Sequence, residues 1–105
     1  MNNNSFILND IKEYLVFVSQ VKNLSDNTSR SYERDLKKLN SFLKDLNISN
    51  YSQINSETCS AWIGSLYSQN NNPRSIQRHL SSAKGFFRFL KKNNLIDSSP
   101  FDLVT

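Results

Sequence analysis

Apolar residues recur at intervals of three and four along most of this chain, the period of a buried helical stripe. Ile11, Tyr14, Leu15, Val18 and Val21 form the first stripe, behind Asn9 as its N-cap. A second helix opens at Ser25, with Leu24 before it, and carries Tyr32, Leu36, Leu39, Leu43 and Leu46. Residues 47–55 read as a connecting loop. A third helix starts at Asn55 or Ser56 and turns Cys59, Trp62, Ile63, Leu66 and Tyr67 inward, until Gln69, Asn70, Asn71 and Asn72 break it. Asn72 and Pro73 begin the fourth, because Asn caps well and proline suits the first helical position. Its stripe is Ile76, Leu80, Ala83, Phe87 and Leu90, and Asn93 and Asn94 end it. No segment needs the alternation of a strand. The pattern predicts an all-α, compact four- to five-helix bundle.

Composition supports that reading. The 105 residues suit one domain, 1–105, with a helical core over about 9–97. Only two Gly and two Pro interrupt it, which favours long elements over tight turns. Cys59 has no partner for an internal disulfide, and one Cys with one His makes a poor metal centre, so no metal or cofactor is expected. No apolar run approaches the ~18 residues of a membrane span, and the N-terminus lacks the basic start and apolar stretch of a signal peptide. A soluble, cytoplasmic, monomeric domain is expected.

Charge narrows the function. The net charge is +4, but its distribution says more: residues 58–96 contain no acid, while Arg74, Arg78, Lys84, Arg88, Lys91 and Lys92 all fall there. One-sign clustering points to a polyanionic partner. At 100° per residue, Arg74, Arg78, Ser81, Gly85, Arg88 and Lys92 share an arc of roughly 80° opposite the fourth stripe, flanked by Lys84 and Lys91. Cations beside small side chains suit a helix entering a major groove. Arg78, at mid-face, is the expected reader of a base edge, and its loss should leave melting nearly untouched, because an exposed basic face contributes little to folding. The second helix repeats the pattern more weakly with Arg30, Arg34, Lys37, Ser41 and Lys44, with Glu33 at the edge.

Other singular residues have plainer readings. Gly85, inside a helix at a cost of roughly 1 kcal/mol against alanine, either admits DNA to the backbone or relieves a helix crossing. His79 reads as a packed or half-exposed structural residue, Cys59 and Trp62 as core, and Asp35 as a local pairing or helix-positioning group. No nucleophile–base pair, carboxylate pair or phosphate loop stands out, so the chain alone is expected to catalyse nothing.

Two stretches resemble a known family. Leu24, Ser25, Thr28, Tyr32, Asp35 and Leu36 match the spacing Leu-Ser-x-x-Thr-x-x-x-Tyr-x-x-Asp-Leu, which opens the second helix of the SAM-like core-binding domain of tyrosine recombinases. Arg74, Ser75, Arg78, Leu80, Ser81, Lys84, Phe86, Phe87 and Leu90 resemble that domain's fourth helix, and Leu95, Ser99 and Pro100 its exit into an interdomain linker over 98–105. The likeness runs from about 10 to 104 and is nearest to the Xer-type recombinases, which resolve chromosome dimers; phage and transposon integrases share the domain. Asn23 stands where glycine is common, Ser99 where asparagine is, and Gly85 where a small polar residue is.

The resemblance implies a module that clamps duplex DNA with helices two and four. By position, Thr28, Arg30, Ser31, Arg34 and Lys37 would face DNA from the second helix, and Arg74, Ser75, Arg78, Ser81, Lys84 and Arg88 from the fourth. It also implies other recombinase protomers as partners on DNA, and a catalytic domain that this chain lacks. The rival is a helical protein–protein interaction or oligomerisation module; a basic helix docked on anionic membrane is a weaker third reading.

Overall fold

The computed structural model describes residues 5–69 and 71–102, with four α-helices and no strand among them. They are α1 (Ser5–Gln20), α2 (Asp26–Asp45), α3 (Ser56–Ser68) and α4 (Pro73–Lys92), with a single 3-10 turn at Tyr51–Gln53 before α3.

The helix starts follow the predicted caps. Ser25 Oγ accepts the Thr28 amide at 3.2 Å, Asn55 Oδ1 that of Thr58 at 2.9 Å, and Asn72 Oδ1 that of Ser75 at 2.8 Å with Pro73 next in line. The exception is α1, which runs through Asn9 from Ser5. Ile7 is wholly buried and extends the stripe Ile11, Tyr14, Val18 by one turn, so Asn9 is an interior residue and not a cap. The ends of α1, α2 and α4 share one device. Asn23, Asn47 and Asn94 have φ of 53°, 60° and 61°, the left-handed region in which Asn is the side chain best tolerated after Gly. The Asn at 23, where the resembled family has glycine, thus meets the same backbone demand. After α2 and α4 the chain closes with Ile48 N–H on Leu43 O (3.0 Å) and Leu95 N–H on Leu90 O (2.9 Å).

α4 is the spine: α1, α2 and α3 all pack on it. Phe86 and Phe87 are adjacent yet both buried, because partners surround α4 on more than one side. A relay of rings knits them together: Tyr14 meets Phe86 edge-on at 5.7 Å, Phe86 meets Phe87 at 5.4 Å, Phe87 meets Phe101 at 5.3 Å, and Phe101 meets Trp62 at 5.9 Å. The segment read as the opening of a linker therefore folds back on the core as far as Phe101, which is 4% exposed; residues 103–105, like Asn70, lie outside the described residues.

Three residues expected inward are exposed: Val21, Leu46 and Tyr67. Val21 follows the last residue of α1, Leu46 is the C-cap of α2, and Tyr67 sits at the edge of the α3 stripe, about 140° from Trp62. His79 is packed at 1% exposure, with its ring edge-on to Trp62 at 6.2 Å, and Cys59 and Trp62 are core as expected.

Gly85 resolves toward a helix crossing. A Cβ placed there would collide with the Tyr14 hydroxyl, and Tyr14 cannot swing away because its ring is held by Phe17, Phe86 and Phe89. Gly85→Ala should lower stability despite the roughly 1 kcal/mol that alanine gains in helix propensity. In a Tyr14→Phe background the same change should raise it, since the Tyr14 ring carbon itself lies at an ordinary 3.5 Å. Thermal melting of the four proteins checks this; a Gly85→Ala loss that persists without the hydroxyl would refute it.

Candidate nucleic-acid interface

The basic faces are built on α2 and α4, and one buried carboxylate joins the two helices. Asp35, 1% exposed, accepts from Arg78 Nε and Nη2, both at 2.9 Å, and from Ser82 Oγ at 3.1 Å. Ser82 Oγ also lies 3.0 Å from Arg78 O. The imidazole Nδ1 of His79 faces the other Asp35 oxygen at 3.4 Å without a hydrogen bond. A carboxylate out of water is tolerable only when paired and hydrogen-bonded, and the planar guanidinium fork supplies both at once. Burial, against the opposing pull of Asp35, lowers the His79 pKa below the ordinary histidine value, with Arg78 and Lys38 adding to the drop. His79 is therefore neutral at pH 7.

This clasp corrects the expectation for Arg78. Its guanidinium is 42% exposed, but two donors are committed to Asp35, so it is not an unencumbered mid-face side chain. One edge of α4 is handed from neighbour to neighbour: Arg78 and Ser82 meet α2, then Gly85 and Phe89 meet Tyr14 of α1. The packed side of α4 thus reaches round to Gly85, and the open arc is turned by roughly 50° from the sequence estimate, toward Lys84 and Lys91. Arg74, Gln77, Ser81, Arg88, Lys91 and Lys92 are exposed on it, with Lys84 half-buried among them. Gln77, a neutral side chain able to donate and accept, is exposed at the middle of that arc, where a pattern of cations does not reveal it.

Lys84, Arg88 and Lys91 also wall a recess of about 400 Å³ against Ser99, Phe101 and Asp102, so the folded-back exit segment buttresses the basic face. On α2, Arg30, Arg34, Lys37, Lys38, Ser41 and Lys44 are exposed. Lys37 pairs with Glu33 at 3.3 Å, a surface contact of small worth. Arg34 Nη2 donates to Ser31 Oγ at 3.4 Å, and the half-buried Thr28 shares a hydrogen bond with Ser25 Oγ at 2.9 Å, which ties Thr28 to the helix cap. Ser75 is half-buried in the first turn of α4, its amide taken by the Asn72 cap.

Burial pushes the Cys59 thiol up to about 12 and, with Tyr32 adding and Arg88 opposing, the Tyr14 phenol also to about 12; neither is an ionised nucleophile at neutral pH. Among the described residues no group of three His, Cys, Asp or Glu side chains is placed to hold a metal ion, and no helix is long and apolar enough to cross a membrane.

Comparison with known proteins adds the following. Residues 11–94 match the family of the phage integrase, N-terminal SAM-like domain. Tyrosine recombinase XerD of Staphylococcus haemolyticus is 33% identical over 94 residues, which are 90% of this chain and 32% of that protein; Tyrosine recombinase XerD of Staphylococcus saprophyticus gives the same figures. Tyrosine recombinase XerC of Listeria welshimeri is 29% identical over 94 residues, 90% of this chain and 31% of its own. The chain spans about a third of the length of these curated relatives. No solved structure matches it significantly.

The clasp carries a pH signature. A histidine held neutral by the fold binds its proton more readily once unfolded, so its contribution is complete above the ordinary value near 6.5 and is lost as pH falls below it. The melting temperature should decline from pH 7 to pH 5, and His79→Gln should flatten that decline. An equal decline in the variant would show that His79 is not its source.

Proposed function

The chain belongs to the phage integrase N-terminal SAM-like domain family, and on that premise we propose that it is the duplex-DNA-binding module of a site-specific, Xer-like tyrosine recombinase. In this reading the outer faces of α2 and α4 hold the duplex, with Arg30 and Arg34 on one helix and Arg74, Ser81, Lys84 and Arg88 on the other. Thr28, Ser31, Lys37 and Ser75 line the margins, and Arg78 supports the surface from beneath while keeping its remaining donors for a phosphate. Recombination itself, such as the resolution of chromosome dimers, would be catalysed by the part of the longer protein that this chain does not include. The module would act in the cytoplasm beside other recombinase protomers assembled on DNA, and alone it would be a monomer without strand-cleaving activity.

The observation that carries this reading is the outer arc of α4. Its cations have no carboxylate partner among the described residues: the ion pairs there are Lys37 with Glu33, and Asp35 with Arg78 and His79. Exposed cations left unpaired on one face attract an external polyanion, and regularly spaced phosphates suit a straight helix. Small Ser81 and neutral Gln77 at the middle of the arc leave room to approach base edges.

Binding to duplex DNA should be steeply salt-dependent. About five phosphate contacts at roughly −0.9 each give a log–log slope near −4 to −5. Lys84→Gln and Arg88→Gln should each reduce that slope by about 1. Fluorescence anisotropy over a salt series measures both. A flat dependence, or no binding at low salt, would instead favour a protein-interaction bundle.

A further inference from the structure

Between α1 and the C-terminal half of α4 lies an open recess of about 360 Å³. Its floor is aromatic: Phe17 and Phe89 are 5.3 Å apart between ring centroids, and Tyr14 and Phe89 are 5.4 Å apart. Phe17 and Phe89 are only half-buried, unlike Phe86, Phe87 and Phe101, so ring surface is left facing the opening. Its rim is cationic, formed by Lys22, Arg88 and Lys92. The Tyr14 hydroxyl seated over Gly85 forms one wall.

No carboxylate lines this recess, whereas four neighbouring ones each contain at least one, supplied by Asp26, Glu33, Asp97 or Asp102. Ring faces below and unpaired cations above are the two elements by which single-stranded nucleic acid is held: bases stack on aromatic side chains and phosphates pair with Lys and Arg. The volume lies in the range of small-ligand sites. Arg88 belongs to both the rim and the outer basic arc of α4, so a strand lying on that arc passes the mouth of the recess.

We propose that this α1–α4 recess is a second site, which takes an unpaired nucleotide of DNA, its base on Phe17 and Phe89 and its phosphate at Lys22, Arg88 and Lys92. The proposal rests on the DNA-binding reading above and extends it from paired to unpaired DNA. Every base presents a π-face, so recognition is tolerant of sequence. An acidic, aromatic peptide shares part of this chemistry, but continuity with the phosphate-binding arc favours the nucleotide.

The test compares three fluorescent probes on the intact chain at one salt concentration: a fully paired duplex, the same duplex with one unpaired thymine, and a single-stranded oligothymidylate of about ten nucleotides. The unpaired thymine should tighten binding roughly tenfold, as one stacked base allows. Phe17→Leu should remove that gain and leave the paired duplex bound as before. Lys22→Gln, an exposed change that does not touch the core, should halve the gain or more. Equal affinity for the paired and unpaired duplexes would overturn the second site while leaving duplex binding intact. Loss of duplex binding alone, with the oligothymidylate still bound through Phe17, would overturn the first reading and keep the second. Binding of neither would overturn both, and so would capture of an acidic aromatic peptide in preference to the oligothymidylate at this recess.

Discussion

One carboxylate, removed from water between α2 and α4, sets the geometry of this domain. An unpaired charge at the Asp35 position would be prohibitively costly, and even a buried pair gives little net stability compared with apolar packing. What it gives is register. Only one rotation of α4 places the Arg78 fork on both carboxylate oxygens and Ser82 Oγ on one of them. The same rotation turns Gln77, Ser81, Lys84 and Arg88 outward, so the polar knot inside determines which cations the outside presents.

The rest of the fold extends that constraint along α4. One helical turn beyond the clasp the same edge of the helix passes to α1, where Gly85 gives way to the Tyr14 hydroxyl. On the far side the rings of Phe87, Trp62 and Phe101 bind α3 and the exit segment to the spine. A helix gripped on so wide an arc keeps a narrow free face, which concentrates its charge. The aromatic residues left half-open beside it, Phe17 and Phe89, lie where α1 meets the end of that face.

Much of this was legible in the sequence. Helix starts at Ser25, Asn55 and Asn72 follow from cap chemistry, and the stripes of α2 and α4 from their period. The core-binding-domain resemblance of Leu24 through Leu36 carried the family. Where the reading failed, the cause was tertiary. A helical wheel assigns polar residues to the outside, so it placed Arg78 on a free face and could not foresee a buried acid opposite it. The same averaging put Gly85 on the surface, and stripes extended past their helices placed Val21 and Leu46 inside. Asp35 was visible as a pairing group, but its partner lies 43 residues away, beyond any local pattern.

The most direct test of this account is the cost of Arg78→Gln in two backgrounds. If the guanidinium exists chiefly to satisfy a buried carboxylate, the change should cost about 2–3 kcal/mol in the parent and less than about 1 kcal/mol when Asp35 is already Asn. Denaturant unfolding of the four proteins gives both numbers. Equal costs in the two backgrounds would mean that the clasp does not hold α2 to α4, and the orientation of the basic face would lose its basis.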